Sequence, residues 1–308
     1  MKQLLVLIFA LVLCASTAHG LNVMLISDSG YEGGGILDAD NKTVGDGGKY
    51  VDTALVAFLE GLGYTVDTSG MGGDYREPGK NSDYSANAWW EGLDGRLAAI
   101  QDADLVIVSR YADSGSYDND RKAWNELGVA LLMQNGHMAR GQGNSLGLGT
   151  STKWGWNNAT NGKQSASETD MIITAGDHSF VEGFSSPVML FNWSTGQAQA
   201  QVQNCLGEYP AGATVVGTYD GIPMLVDIPG GTDFDAHCGT ADFYGAAGAH
   251  RVYLGHWGYD GKATYSWDLD ITGDYKTLFA QVVAQTIPEP ATIALLGLGG
   301  LALLRRRR

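Results

Sequence analysis

The chain has 308 residues, with 34 acidic against 19 basic side chains and a formal net charge of −15. So acidic a chain has little to neutralise phosphates and excludes a nucleic-acid partner; it suits an exported protein kept soluble by its charge. Apolar residues make up 44% of it, enough for one large domain with a sizeable core.

The chain opens with Lys2, an unbroken apolar run from Leu4 to Leu13, and Ala18-His19-Gly20. A positive start, a short apolar core and small residues at the cleavage positions predict a secretory signal peptide over 1–20, removed by signal peptidase. Asn22 to Ser27 then reads as a short buried strand. A Gly-rich loop follows, and Tyr50 to Glu60 carries Val51, Leu55, Phe58 and Leu59 at helical spacing until Gly61-Leu62-Gly63 stops it. Tyr64 to Thr68 is a second strand, Trp89 to Ile100 a helix, and Leu105 to Ser109 a third strand. Asp118 to Glu126 reads as a short helix and Val129 to Gln134 as a fourth strand. Short apolar strands alternating with amphipathic helices indicate βαβ units around a parallel sheet.

The second half changes character. Met171 to Thr174, Val188 to Asn192, Thr214 to Tyr219, Met224 to Ile228 and Arg251 to His256 are strand-like, separated by turn-rich spacers. Asp274 to Gln285 closes the body as a helix with Tyr275, Leu278, Phe279, Val282 and Val283 on one side. The expected fold class is α/β: a flavodoxin-like parallel sheet flanked by helices, with extra β-rich insertions in the second half. No internal repeat or linker appears, so 21–286 is read as a single domain.

The last segment, 287–308, has another composition. Ile287-Pro288-Glu289-Pro290 leads into the small and apolar run Ala291 to Leu304, and Arg305 to Arg308 follow. Fourteen helical residues span about 21 Å, short of a hydrocarbon core of roughly 30 Å, so a transmembrane helix here needs local thinning or arginine snorkelling. The arginines stay cytoplasmic and leave the body outside. This order of motif, span and charge resembles the PEP-CTERM sorting signal, with Pro288, Glu289 and Pro290 as its motif. The resemblance implies an exosortase, a membrane cysteine protease, as partner. It also implies transient inner-membrane anchoring and release to the surface or exterior of a Gram-negative-type bacterium. A plain C-terminal anchor is the alternative.

The order Val23-Met24-Leu25-Ile26-Ser27-Asp28, then Leu55 to Val66, then Asp102 to Ser109 resembles a class I glutamine amidotransferase-like or trehalose-utilisation-like domain. That family places a nucleophilic Cys in a tight turn after a central strand. The matching turn here is Asn135-Gly136-His137-Met138, which has no Cys, so acyl-enzyme chemistry has no nucleophile.

A ligand on such a sheet binds outside the carboxyl ends of the strands. Asp28, Arg110, Tyr111, Asn135, His137, Arg140, His256 and Trp257 are the candidates there. Asp28, His137 and His256 are the ones a hydrolase would use; Arg110, Tyr111, Asn135, Arg140 and Trp257 would line a binding cleft. Each also has an ordinary reading as a turn cap, an ion-pair partner or a turn histidine. Two functions stay open: a non-catalytic domain binding a glycan such as exopolysaccharide or another matrix component, and an extracellular hydrolase or carbohydrate-active enzyme. Trp89-Trp90, Trp154-x-Trp156 and Trp257 are either sugar-stacking platforms or packing beneath long loops.

Cofactors are not expected. The five histidines after residue 20 lack metal-site spacing. Asp38-x-Asp40 and Asp118-x-Asp120 lack the glycine and final Glu of a calcium loop, which leaves bound calcium as the lesser alternative to solvated acids. Cys205 and Cys238 form an even pair in an oxidising compartment. A disulfide between them would close about 33 residues and contribute roughly 3–4 kcal/mol.

Overall fold

The computed structural model describes residues 20–27, 52–70, 100–109, 112, 121–141, 153–158, 170–190, 207–255 and 271–287. The expected strands of the first half form where their apolar runs lie: β1 (Asn22–Ile26), β2 (Thr65–Asp67), β3 (Leu105–Val108) and β4 (Ala130–Met133). Every residue of β3 and β4 is buried, because a parallel strand covered on both faces needs an apolar side chain at each position. Those of the second half are β5 (Asp170–Ile173), β6 (Val188–Met189), β7 (Thr214–Tyr219), β8 (Ile222–Ile228) and β9 (Arg251–Leu254).

All nine belong to one sheet in the order β2-β1-β3-β4-β9-β8-β7-β5-β6. The first five pair in parallel and the last five antiparallel, with β9 common to both sets. The α/β expectation therefore holds, and the extra β-rich second half continues the same sheet in antiparallel sense. β7 and β8 join through Asp220 and Gly221, both at positive φ (51° and 74°), the backbone a two-residue hairpin turn requires. Gly217 lies at the β7 irregularity, where an added Cβ would run into the Met171 side chain.

The described helices are α1 (Thr53–Gly61), α2 (Arg121–Glu126), α3 (Gly136–Ala139), α4 (Phe234–Cys238) and α5 (Gly273–Thr286). β1 shows how the faces divide. Val23 and Leu25 join a cluster with Leu55 and Leu59 of α1 and Tyr275, Leu278, Phe279, Val282 and Val283 of α5. Met24 and Ile26 face a second cluster around Trp124, Trp154, Trp156 and Phe234. Phe58 and Phe279 touch across the first face, ring centroids 6.3 Å apart.

The aromatic cluster settles one open reading. Trp154 and Trp156 are fully buried; Trp154 stacks on Trp124 at 5.3 Å and Trp156 on Phe234 at 6.3 Å. Asn125 ties them together, donating to the carbonyls of Trp154 and Tyr244 (2.8 and 2.9 Å) and accepting from Trp156 Nε1 (2.8 Å). Trp154-x-Trp156 is core, not a sugar platform. Trp89, Trp90 and Trp257 lie outside the described residues.

α5 is capped by Thr272, whose hydroxyl accepts from the Tyr275 N–H, and Asp274 in its first turn complements the helix dipole. Its direction matters below. Tyr275 lies against Gln134 at the carboxyl end of β4. Six residues on, Gln281 donates to the Ser179 and Glu182 carbonyls (2.6 and 3.2 Å) of a 3-10 turn. The helix ends with Thr286 and Ile287 buried at 1% and 4% exposure.

Candidate functional site

β2 and β3 lie on opposite sides of β1, so the strand order reverses there and the carboxyl ends of β1 and β3 form the sheet's topological switch point. In open α/β sheets this switch point is where ligands bind. Its floor is polar. Ser27 follows β1, Ser109 follows β3, and Asp52 stands at the N-cap of α1. The Asp52 carboxylate makes no capping bond to its own helix; its Oδ2 instead accepts from the Ser27 and Ser109 hydroxyls, the latter at 2.6 Å. All three side chains are buried. The backbone continues the frame: Ser109 N donates to Ile26 O at 2.8 Å and Ser27 N to Gly70 O at 3.1 Å.

Of the expected residues at this edge, Asn135 stands two residues after β4 and is buried. Its Nδ2 donates to Ala112 O at 2.6 Å, and its Oδ1 accepts from Met138 N at 3.4 Å. Asn135 thus ties the turn after β3 to the start of α3 and is committed to structure. His137 lies in α3, and the half-buried Arg140 follows it. Asp28, Arg110, Tyr111, His256, Trp257, Pro288, Glu289, Pro290 and Cys205 lie outside the described residues.

The turn matched to the amidotransferase nucleophile can be tested on geometry. A nucleophile elbow holds its residue in a strained strand-to-helix turn. Here β4 ends at Met133 and α3 begins at Gly136, but none of residues 134–138 has positive φ. The turn lacks both the thiol and the strain.

Cys238 stands as a free thiol, so the expected bridge to Cys205 is not seen. Its Sγ is directed at Gly155 O at 3.4 Å. Burial and the nearby Asp235 charge push the thiol up to about 12, which leaves it protonated and unreactive at neutral pH. The loop beside it is closed by Asp235, which accepts from the Phe243, Tyr244 and Gly245 amides and the Thr240 hydroxyl.

Two polar clusters at the opposite edge were not anticipated. Arg251, fully buried at the start of β9, donates Nη1 to Val129 O and His250 O. Its Nη2 serves the carbonyls of Trp124, Asn125 and Leu127, where α2 ends. Burial pushes the guanidinium down to about 9, still charged at neutral pH; five carbonyls take the place of a counter-ion.

In the second cluster, Asp227 on β8 bonds His178 Nε2 through Oδ2 at 3.0 Å and His250 Nε2 through Oδ1. His178 Nδ1 accepts from Phe180 N at 3.3 Å, so its proton sits on Nε2 and both nitrogens are engaged. Such an imidazole has no lone pair left for a metal. Among the described residues no group of three or more His, Cys, Asp or Glu is placed to hold a metal ion. Burial pushes the Asp227 carboxyl up, but the bond and charge of His250 and the bond of His178 outweigh this and hold it below the ordinary carboxylate value.

Sheet and switch point define the class: an α/β protein with a parallel, flavodoxin-like half. Residues 286–308 match the model of the PEP-CTERM protein-sorting motif. The chain is therefore an exosortase substrate, sorted through the inner membrane to the cell surface or the exterior. Among the described residues no helix is long and apolar enough to cross a membrane; the apolar run 291–304 lies outside them. No curated protein matches the chain. Two solved structures of Salmonella typhimurium proteins are similar in part. Cytoplasmic Protein STM3548 has a TM-score of 0.39 and 13% identity over 76% of this chain and 85% of its own. Cytoplasmic Protein STM1381, from strain LT2, has a TM-score of 0.46 and 14% identity over 87% of this chain and 100% of its own.

Proposed function

We propose that the body of this exosortase-sorted protein, residues 21–286, is a non-catalytic binding domain, a degenerate relative of the amidotransferase-like fold. Its ligand is a glycan such as exopolysaccharide, or another matrix component, taken in a crevice at the carboxyl ends of β1 and β3. The observation that supports this best is the switch point itself, whose floor is fixed by Asp52, Ser27 and Ser109 while the turn after β4 offers no nucleophile. Side chains for the ligand would come from Arg110, Tyr111, Arg140 and Trp257, which follow β3, α3 and β9 in sequence. Asn135 is withdrawn from that set by its structural bonds. The signal peptide over 1–20 and brief anchoring by the 287–308 tail complete the reading.

A glycan array and an exopolysaccharide pull-down with residues 21–286 test the proposal. Retention that falls at least several-fold in Arg110→Ala and Trp257→Ala supports it, and blank arrays with no pull-down defeat it. The hydrolase alternative draws on Asp28, His137 and His256, which follow β1, β4 and β9 in sequence. Turnover of chromogenic glycosides or esters that disappears in His137→Ala and His256→Ala would favour that reading instead.

A further inference from the structure

The ends of the body and its crevice lie on opposite edges of the sheet, and the sorting tail leaves no slack between body and membrane. α5 starts beside the carboxyl end of β4, where Tyr275 meets Gln134. It then runs toward the amino edge. Gln281 holds the turn at Ser179–Glu182, and that turn is joined through His178 and Asp227 to His250, which precedes β9. Thr286 and Ile287 are packed into the core at its end.

The other end of the body is at the same edge, because Leu21 immediately precedes β1 and its carbonyl accepts from Thr65 N at the start of β2 (2.9 Å). Between the buried Ile287 and the apolar run beginning at Ala291 stand only Pro288, Glu289 and Pro290. Fully extended, the four steps from Ile287 to Ala291 reach at most about 14 Å. That is less than the ~20 Å length of α5 itself.

We infer that the amino edge of the parallel sheet, around Glu60 to Gly63 and Asp102 to Asp104, is the face of the domain held against the lipid surface during sorting, while the crevice points away from it. The inference rests on the sorting-motif reading. It commits to a bilayer as occupant because the chain ends at this edge and the tether is shorter than the body. The edge is not adhesive: Leu62 is exposed there (44%), but Glu60, Asp102 and Asp104 accompany it. An acidic edge gains nothing from anionic lipid headgroups, so the short tether imposes the orientation and the body departs once the tail is removed. The crevice stands farther out by the length of the parallel strands, roughly 15 Å at ~3.3 Å per residue.

The test uses the full chain in phosphatidylcholine vesicles doped with a nickel-chelating lipid. Spin labels are placed at Leu62→Cys on the amino edge or Ser69→Cys after β2 on the carboxyl edge, both exposed sites, in a Cys14→Ser, Cys205→Ser, Cys238→Ser background. The expected result is relaxation by nickel several-fold stronger at position 62 than at 69. A flexible Gly-Ser insertion between Ile287 and Pro288 should erase that difference.

Equal relaxation at the two positions, stronger relaxation at 69, or a difference that survives the insertion overturns the orientation and leaves the sorting reading intact. Failure of the full chain to enter the vesicles at all overturns both. Hydrogen exchange of the unsubstituted chain on vesicles guards against label artefacts. Slower exchange at Glu60 to Tyr64 than in the tail-less body is expected there, and unchanged exchange counts against the inference.

Discussion

The two edges of the parallel sheet bury charge in different ways. At the carboxyl edge Asp52 gathers hydroxyls from two strands, Ser27 and Ser109. At the amino edge Arg251 gathers backbone carbonyls from His250 just before β9, from the segment before β4 and from the end of α2. The first arrangement uses side chains that substitution can trade, at the floor of a crevice. The second uses backbone carbonyls, which no side-chain substitution can trade, although those of His250 and Asn125 also accept from Leu131 N and Gly248 N. The amino edge is therefore the more densely bonded end, and the carboxyl edge is the one to which the proposed function assigns the ligand.

The largest effect tests that contrast at its stronger side. Arg251→Ala removes one charged donor shared by five carbonyls and should cost about 3–5 kcal/mol in urea denaturation. Arg251→Lys should recover only part, since a compact ammonium cannot reach the same fork of acceptors; full recovery would show that charge alone matters.

At the other edge, Asp52→Ala should cost less, about 2 kcal/mol, because two serine hydroxyls lose one shared acceptor. A loss matching that of Arg251→Ala would erase the distinction between the edges.

The smallest effect is pH-dependent. Asp227→Asn should cost about 1 kcal/mol at pH 7, its pairs being partly solvated. The folded carboxyl is held below its ordinary value of 3.8, so its contribution is complete above that value and vanishes as pH falls through the lower, folded one. Wild type and variant should converge in acid; a gap that stays constant down to the lowest pH would assign the cost to packing.

Most strands were legible because a two-sided sheet demands unbroken apolar runs, as Leu105 to Val108 and Ala130 to Met133 show. Thr214 to Tyr219 was read to the residue, and the closing helix to within one residue at each end. The sheet order was not legible, since nothing in a strand such as Met224 to Ile228 says which neighbour it takes. Asp52 was hidden for the same reason: its role exists only once β1 and β3 are adjacent. His178, Asp227 and His250 are brought together by the antiparallel half, which looked like insertions. A missed local signal was Asp220-Gly221 between two apolar runs, a hairpin turn readable from the pair alone. The burial of Trp154 and Trp156 depends on Asn125, distant in sequence, and so escaped a reading that saw only loop neighbours.

The tail bears most directly on the account, because destination, tether and orientation all follow from it. Mass spectrometry of the C-terminus of the exported protein from its native host measures this. The account predicts a mature chain that ends before Arg305, with the body intact up to α5. A mature, exported chain still carrying Arg305 to Arg308 would contradict it.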